Sequence, residues 1–135
     1  MTSLRAAPAL AAASILVAAL VAGCAAPAFD AGGPGATRQT SAGKVLVDAH
    51  GMTLYVYDED RDGRSSCTGL CAAAWPPAEA APGARPHDGF SLVARGDGAM
   101  QWAYDGRPLY GYVGDTKPGE VNGDGAEGVW HAAHG

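Results

Sequence analysis

Short runs of β-branched and aromatic residues, separated by turn residues, dominate the hydrophobic pattern of this chain after residue 40. Val45 to Val47 and Thr53 to Tyr57 form one pair of such runs, which predicts a β-hairpin. Met100 to Tyr104 and Arg107 to Val113 form a second pair, separated by Asp105-Gly106. That dipeptide favours a tight two-residue turn, because both residues tolerate a positive φ.

The remaining pattern adds strands and very little helix. Phe90 to Arg95 and Gly128 to Ala132 are typical of two further strands. Leu70 to Trp75 predicts a single helical turn, which Pro76-Pro77 would end. We therefore predict an all-β fold, a small two-repeat β-sandwich or partly open barrel of about six short strands with at most one or two helical turns.

The same pattern occurs twice, at one constant offset that places Tyr110 on Tyr55 without a gap. The matching pairs are Gly51 and Gly106, Leu54 and Leu109, Tyr55 and Tyr110, Tyr57 and Tyr112, Asp60 and Asp115, and Trp75 and Trp130. A unit carried twice is explained most simply by two copies of one hairpin module that pack on each other. We therefore expect two repeats, about residues 43–75 and 98–130, related by an approximate two-fold axis.

Residues 1–23 have the features of an export signal. Arg5 precedes the apolar stretch Ala6 to Ala22, and small residues precede Cys24. A membrane-spanning helix is the alternative, although this stretch lies at the lower limit of the required length. The sequence Val21-Ala22-Gly23-Cys24 resembles the bacterial lipobox, in which the Cys sulfur receives a diacylglyceryl group and the chain is cut just before it. This predicts a lipid-anchored protein on the extracytoplasmic side of a bacterial membrane, either inner or outer.

Cleavage there would leave Cys24 to Gly135, a chain long enough for one small domain and too short for two independent cores. Residues 24–40 are rich in Ala, Gly and Pro, which predicts a flexible tether, so residues 41–135 are expected to form a single β domain. Removing Arg5 leaves 8 Lys and Arg against 14 Asp and Glu, a formal charge of −6. This charge argues against nucleic acid and anionic headgroups as partners. The expected partners are the membrane, through the lipid, and an envelope protein.

Cysteine usage agrees with export. Besides Cys24, the chain has Cys67 and Cys71, an even pair for which a disulfide is the default in an oxidising compartment. Residues four apart on a helical turn come close enough for that bond. A redox-active pair, or soft copper ligands together with Met52, Met100 or a His, remain the alternatives.

Several motifs now point to one family. Residues 55–60 and 110–115 both match Tyr-x-aromatic-x-x-Asp. Further motifs of the same family pattern follow in the order of that pattern, at residues 67–77, at residues 104–110 and at the closing Gly128-Val129-Trp130. The chain resembles the bacterial secreted-repeat lipoproteins defined by that motif, over residues 41–132. The resemblance implies an envelope lipoprotein with tandem repeats and a β-rich domain. It implies no established activity.

The four motif tyrosines have two interpretations. Tyr55 and Tyr57 face one side of a strand, and Tyr110 and Tyr112 repeat that arrangement. Aromatic residues at period two usually fill a core, and we favour that role here and for the repeat-closing Trp75 and Trp130. The alternative is a stacking surface for haem or a quinone.

The repeated aspartates also have two interpretations. Asp60 and Asp115 follow the expected strand ends, where a carboxylate accepts backbone N–H bonds from the next turn. Asp58, Asp60 and Asp62 are also spaced like the opening of a calcium loop, but Gly69 occupies the position of its bidentate Glu, so they are weak metal candidates.

No hydrolase, metalloprotease or phosphate-binding motif is present in the sequence. We therefore expect a non-enzymatic binding or scaffold module whose cofactor, apart from the lipid, is unknown. The alternative is a redox accessory protein that carries haem or copper for an electron-transfer partner.

Overall fold

The computed structural model describes residues 33–135 together with Ser3 and Arg5. Its strands are β1 (Ala36–Thr40), β2 (Gly43–Val47), β3 (Tyr55–Tyr57), β4 (Phe90–Ala94), β5 (Met100–Tyr104), β6 (Arg107–Pro108) and β7 (Trp130–Ala132). A short helix α1 (Leu70–Ala74) and a 3₁₀ turn at Ala126–Gly128 complete the described elements. The strands form three small sheets, β1-β2, β3-β7 and β4-β5-β6, so the predicted all-β class is confirmed. Within this part of the chain, no helix has the length and apolar character needed to cross a membrane.

The folded domain begins earlier than the sequence predicts. The prediction that the tether extends to residue 40 is wrong for Ala36–Thr40, because these residues form β1. This strand pairs antiparallel with β2, from Ala36 opposite Val47 to Thr40 opposite Gly43. This strand is almost entirely exposed, so it shows no hydrophobic period and is held by its backbone hydrogen bonds. The predicted signal peptide, Cys24 and the start of the tether lie outside the described residues.

The second hairpin turns where the sequence predicts. Asp105 and Gly106 both have a positive φ, 48° and 77°, and Tyr104 lies opposite Arg107 across the turn. The strand that follows is shorter than predicted, because β6 ends at Pro108. Beyond it, Leu109 N donates to the Trp102 carbonyl at 2.9 Å, and Tyr110 forms isolated bridges to Tyr55 and Pro77.

Each repeat passes its C-terminal end to the other. We call residues 76–79 the first arm and residues 131–134 the second arm. The second arm pairs with the first repeat, where Val56 lies opposite His131 and Ala133 N donates to the Leu54 carbonyl at 2.8 Å. The first arm pairs with the second repeat in the same way, and Ala78 N donates to the Leu109 carbonyl at 2.9 Å. Because each sheet needs the other repeat's arm, the two repeats form one folding unit.

A backbone pair marks the two-fold axis. Tyr55 N donates to the Tyr110 carbonyl at 2.8 Å, and Tyr110 N donates to the Tyr55 carbonyl at 2.9 Å. These are equivalent positions of the two repeats, and equivalent residues can exchange identical bonds only across a two-fold axis. The approximate symmetry expected from the duplication is therefore present in the backbone.

The core consists of two clusters on opposite sides of the central strands. One contains Val45, Val47, Tyr55, Cys67, Trp75, Tyr110, Trp130 and Ala132, and the other contains Leu46, Leu54, Val56, Phe90, Trp102, Leu109 and Ala133. Tyr55 therefore faces one cluster while Leu54 and Val56 face the other, as the period of two predicts.

The predicted disulfide is present. Cys67 and Cys71 are bonded, with Cα atoms 5.2 Å apart, at the start of α1. Because the closed loop is very short, the chain-entropy argument gives a stabilisation of only about 2 kcal/mol. We expect the Cys67→Ala, Cys71→Ala double variant to lose about that much free energy of unfolding in urea titrations, and to remain folded in buffer. Wild-type protein unfolded in the presence of a reductant is the control. Failure of either protein to fold would contradict this estimate.

Candidate functional site

Four aromatic rings form a continuous stack across the two-fold axis. We call Tyr57, Trp130, Trp75 and Tyr112, in that spatial order, the aromatic column. The two tryptophans lie at its centre with ring centroids 3.9 Å apart and planes inclined by 3°. Tyr57 stacks on Trp130 at 4.2 Å and Tyr112 stacks on Trp75 at 4.2 Å. Each tyrosine thus stacks on the tryptophan of the other repeat, while the tryptophans are buried and the outer tyrosines half-buried.

The other two motif tyrosines meet the column by their edges. Tyr55 contacts Trp75 with centroids 5.4 Å apart and planes at 77°, and Tyr110 contacts Trp130 at 5.1 Å and 89°. Edge-to-face contacts of this kind are favourable for aromatic pairs. The core interpretation of the tyrosines is therefore the one that the geometry supports. Tyr55 and Tyr110 are fully buried, so these two inner tyrosines cannot stack on haem or a quinone, whereas a tryptophan covers one face of each half-buried outer ring.

The motif aspartates bond to tyrosines of the opposite repeat. Tyr55 Oη donates to Asp115 Oδ2 at 2.5 Å, and Tyr110 Oη donates to Asp60 Oδ2 at 2.8 Å. The tyrosine and the aspartate of one motif copy therefore do not form a hydrogen bond with each other. Each copy supplies half of two reciprocal pairs that link the repeats.

The second oxygen of each aspartate holds the local loop. Asp60 Oδ1 accepts from Ser66 N at 2.7 Å and from Ser66 Oγ at 2.8 Å. Asp115 Oδ1 accepts from Asn122 N at 2.9 Å. This is the expected backbone-capping role. The tyrosine partner was not predicted, because the bonded residues lie 60 and 50 positions apart in the sequence.

Burial raises the pKa of both inner phenols above its ordinary value of 10.0, at which a phenol is already protonated at neutral pH. Burial of the ring, followed by smaller opposing contributions from the Ser65 and Asp60 hydrogen bonds, raises the pKa of Tyr110 to about 12. Burial, and then the hydrogen bond to Asp115, raises the pKa of Tyr55 further. Both side chains are therefore donors under physiological conditions, as their carboxylate partners require.

These raised pKa values predict a specific loss of stability in alkali. The pKa of Tyr110 is higher in the folded protein than its ordinary value of 10.0, so its contribution is complete below that pH and is lost as pH rises towards about 12. We expect the free energy of unfolding in urea to fall through this window. The Tyr110→Phe variant should fall less steeply, and an equally steep fall would contradict the assignment.

A buried cation extends one of the two tyrosine–aspartate pairs. Arg95 is 6% exposed, and its Nη1 donates to Ser65 Oγ at 2.6 Å and to Gln101 Oε1 at 2.9 Å. Ser65 Oγ lies 2.6 Å from Tyr110 Oη. Because Tyr110 gives its only hydroxyl hydrogen to Asp60, Ser65 is the donor to Tyr110. The result is a directed chain from Arg95 through Ser65 and Tyr110 to Asp60.

The burial of Arg95 and Gln101 in this hydrogen-bond network was not predicted from the sequence. The sequence pattern predicts only that Arg95 is the last residue of one strand and that Gln101 lies within another. A charged residue at a strand end is ordinarily solvated, so no local signal distinguishes this one. Its burial depends on Ser65 and the Cys67 carbonyl, which Arg95 Nη2 reaches at 3.0 Å from a distant part of the chain.

Two of the three proposed calcium ligands, Asp58 and Asp60, are engaged with protein groups. Asp58 accepts from Arg107 Nη2 at 3.0 Å and lies 2.7 Å from His131 Nε2. The His131 contact, before that of Arg107, lowers the pKa of Asp58. Asp60 holds Tyr110 and Ser66, so the two carboxylates point to different partners. In residues 33–135, no group of three or more His, Cys, Asp or Glu side chains is placed to hold a metal ion. Both sulfurs of the Cys67–Cys71 pair are in the disulfide and offer no thiolate ligand in this state.

A groove of about 680 Å³ lies outside the column, where the two repeats meet. Its lining includes Leu54, the first arm and Trp102, together with Pro34, Asp48, Ala49, His50 and Gly111. Trp102 is 1% exposed, and its Nε1 is buried without a hydrogen-bond partner among the described residues. Trp102 lacks a counterpart in the other repeat, so the repeat pattern does not mark it as a candidate residue.

Comparison with known proteins returns one family. Residues 36–79 and 91–134 each match a family described as a secreted repeat of unknown function, and together they cover more than half of the chain. The two matches are equally long, and residue 110 holds the place in the second that residue 55 holds in the first, which is the predicted offset. The matches contain the predicted repeats and also include β1 and both arms. No curated protein and no solved structure matches the chain.

Proposed function

Because this chain belongs to the family of secreted repeats of unknown function, we propose that it is a non-catalytic binding or scaffold module of the cell envelope. The module stands on the extracytoplasmic side of the membrane, held by a diacylglyceryl group on Cys24, and binds an envelope partner. The lipobox-like residues 21–24 and the absence of a catalytic motif in the sequence support this proposal.

The groove is the observation that carries a binding role. The inner motif residues are buried in the core, where a ligand cannot contact them, so binding requires another surface of the domain. The groove is largely apolar, and the first arm forms one wall against Trp102 of the second repeat. Concave apolar sites with a few polar groups are the usual form of ligand pockets. A ligand seated there contacts both repeats and is held by a wall that exists only because the arm has crossed over.

Binding is tested with the mature chain, residues 24–135, labelled with ¹⁵N. We expect titration with fractions of solubilised envelope to shift the Trp102 indole signal and the amide signals of Leu54 and Ala78. The Ala78→Phe variant fills the groove and should abolish these shifts, whereas Ala73→Phe, on the exposed side of α1, should leave them intact. Shifts confined to other surfaces, or turnover of a substrate by the purified domain, would contradict the proposal.

The lipid anchor has a separate test. We expect mass spectrometry of the natively purified protein to show a chain that begins at Cys24 with a diacylglyceryl group. The Cys24→Ala variant should be absent from the membrane fraction, because it cannot receive the lipid. An unmodified N-terminus upstream of Cys24 would contradict the anchor without affecting the groove.

The second candidate is a redox accessory protein that carries haem or copper. The aromatic column favours it, because stacked indole and phenol rings are oxidisable groups in continuous contact. Cofactor ligands would have to come from outside the column, for example from Met100, which is 40% exposed. An optical spectrum and elemental analysis of protein expressed with haem and copper supplied test this candidate. A colourless, metal-free product would eliminate it.

A further inference from the structure

We propose that the aromatic column and the two inner tyrosines, Tyr55 and Tyr110, accept and store a one-electron oxidation, so that this protein's own side chains are its redox groups. The proposal depends on neither a bound cofactor nor the groove. It concerns a small set of rings whose arrangement is fixed by the two-fold axis.

The geometry of the column provides a path from the surface to the interior. Tyr57 and Tyr112 are half-buried at its two ends, where a soluble oxidant can approach them. Trp75 and Trp130 lie between them with nearly parallel planes. A positive charge on one indole is shared with the other through their stacked π systems. We therefore expect the radical cation to form first on this pair of tryptophans, before a tyrosine is oxidised.

The inner tyrosines have what phenol oxidation needs, which is a base already bonded to the hydroxyl. A phenol that loses an electron becomes strongly acidic and must release its proton. Tyr110 Oη bonds to Asp60 at 2.8 Å and Tyr55 Oη bonds to Asp115 at 2.5 Å. The proton therefore has a short path to a carboxylate, without water or movement of the backbone.

The reaction balances in two steps. A high-potential metal complex, acting as a one-electron oxidant, takes an electron from the column and is reduced, which leaves an indole radical cation at Trp75 or Trp130. Tyr110 then gives one electron to the indole while its phenolic proton moves to Asp60 Oδ2. The products are a closed-shell column, a neutral phenoxyl radical at Tyr110 and a carboxylic acid at Asp60. A one-electron reductant, such as a hydroquinone that is oxidised to its semiquinone, then reduces the phenoxyl radical to phenolate. The phenolate takes its proton back from Asp60, which becomes a carboxylate again.

Each inner tyrosine keeps a hydrogen-bond donor after its proton has left. Ser65 goes on donating to the Tyr110 oxygen, and Arg95 holds Ser65 in place. Gly123 N donates to Tyr55 Oη at 3.2 Å in the same way. A retained donor stabilises the phenoxyl oxygen, which bears a partial negative charge although the radical is neutral overall. Two equivalent storage positions thus flank one shared pair of tryptophans.

The chain contains its own control residues. Of its three tryptophans and five tyrosines, only Trp102 and Tyr104 lie outside this set of rings. Both pack against Phe90 in the other core cluster. A Trp102→Phe, Tyr104→Phe double variant therefore contains no oxidisable aromatic ring except those of the proposal.

The test is photochemical oxidation of the mature chain by a ruthenium(III) polypyridyl complex, which is generated by a laser flash in the presence of an electron acceptor. Transient absorption follows the indole and phenoxyl radicals, and electron paramagnetic resonance identifies them. We expect the Trp102→Phe, Tyr104→Phe variant to give the wild-type phenoxyl yield. The Asp60→Asn, Asp115→Asn variant keeps an acceptor oxygen but loses the base, so phenoxyl formation should slow by on the order of a hundredfold.

Two results would overturn the proposal. One is loss of the radical in a folded Trp102→Phe, Tyr104→Phe variant, which would place the oxidation outside the column. The other is an unchanged rate in a folded Asp60→Asn, Asp115→Asn variant. If that variant fails to fold, wild-type protein with ring-deuterated tyrosine decides the question. Its spectrum must show a narrowed tyrosyl signal, and a signal unaffected by the label excludes tyrosine as the store.

Discussion

Replacing Trp130 with alanine is expected to lower the free energy of unfolding by about 3–5 kcal/mol. Trp130 is 1% exposed, stacks on both Tyr57 and Trp75, and receives the edge of Tyr110. Its removal leaves a cavity on the two-fold axis, where both repeats lose packing at once. Because small domains are stable by only about 5–15 kcal/mol, much of the total stability depends on this ring. Urea unfolding followed by far-UV circular dichroism measures the loss.

Two matched substitutions test the reason for that loss. Trp75 holds the equivalent position, so Trp75→Ala should cost nearly as much. Leu70→Ala removes a large apolar side chain that is 92% exposed and should change stability by no more than about 0.5 kcal/mol. If Trp130→Ala cost as little as Leu70→Ala, the column would not be the core of the domain.

Replacing Asp115 with alanine is expected to cost about 3 kcal/mol, because it leaves the buried Tyr55 hydroxyl and the Asn122 N–H without their acceptor. Asp115 is itself buried, at 7% exposed. Tyr55→Phe should cost less, since the ring remains and only one bond is lost. A double-mutant cycle between the two positions should give a coupling energy of about 1.5–3 kcal/mol, the range for hydrogen bonds to charged groups.

The equivalent pair provides the comparison. Asp60 is half-buried, and Ser66 and its own loop are open to water. We therefore expect Asp60→Ala to cost less than Asp115→Ala, and the coupling between Asp60 and Tyr110 to be smaller. Strictly additive losses at Tyr55 and Asp115 would show that the reciprocal bond does not stabilise the contact between the repeats.

Several features were predictable because they depend on neighbours in the sequence. The Asp105-Gly106 turn follows from the backbone freedom of two adjacent residues. The Cys67–Cys71 bond follows from a spacing of four. The opposite orientation of Leu54 and Tyr55 follows from the period of a strand. Each of these outcomes requires only a few residues to adopt a local conformation.

Other features were missed because their cause lies far away in the chain. β1 has no hydrophobic period, and only its pairing with β2 makes it a strand. Arg95 is an ordinary charged residue until Ser65 and Gln101 enclose it. Trp102 has no counterpart in the other repeat, and the groove beside it needs the first arm as a wall. No local pattern records these partners.

The amino-acid sequence alone determined the all-β class, the internal duplication and the identity of the motif residues, because these are properties of composition, period and order. Only the tertiary structure decided which tyrosine meets which aspartate and that the tryptophans stack on the axis. When a motif occurs twice, its tyrosine can bond to the aspartate of the same copy or to the aspartate of the other copy, and the local sequence is the same in both cases. Crossing of the arms selects the second solution, because it brings the end of each repeat against the strands of the other.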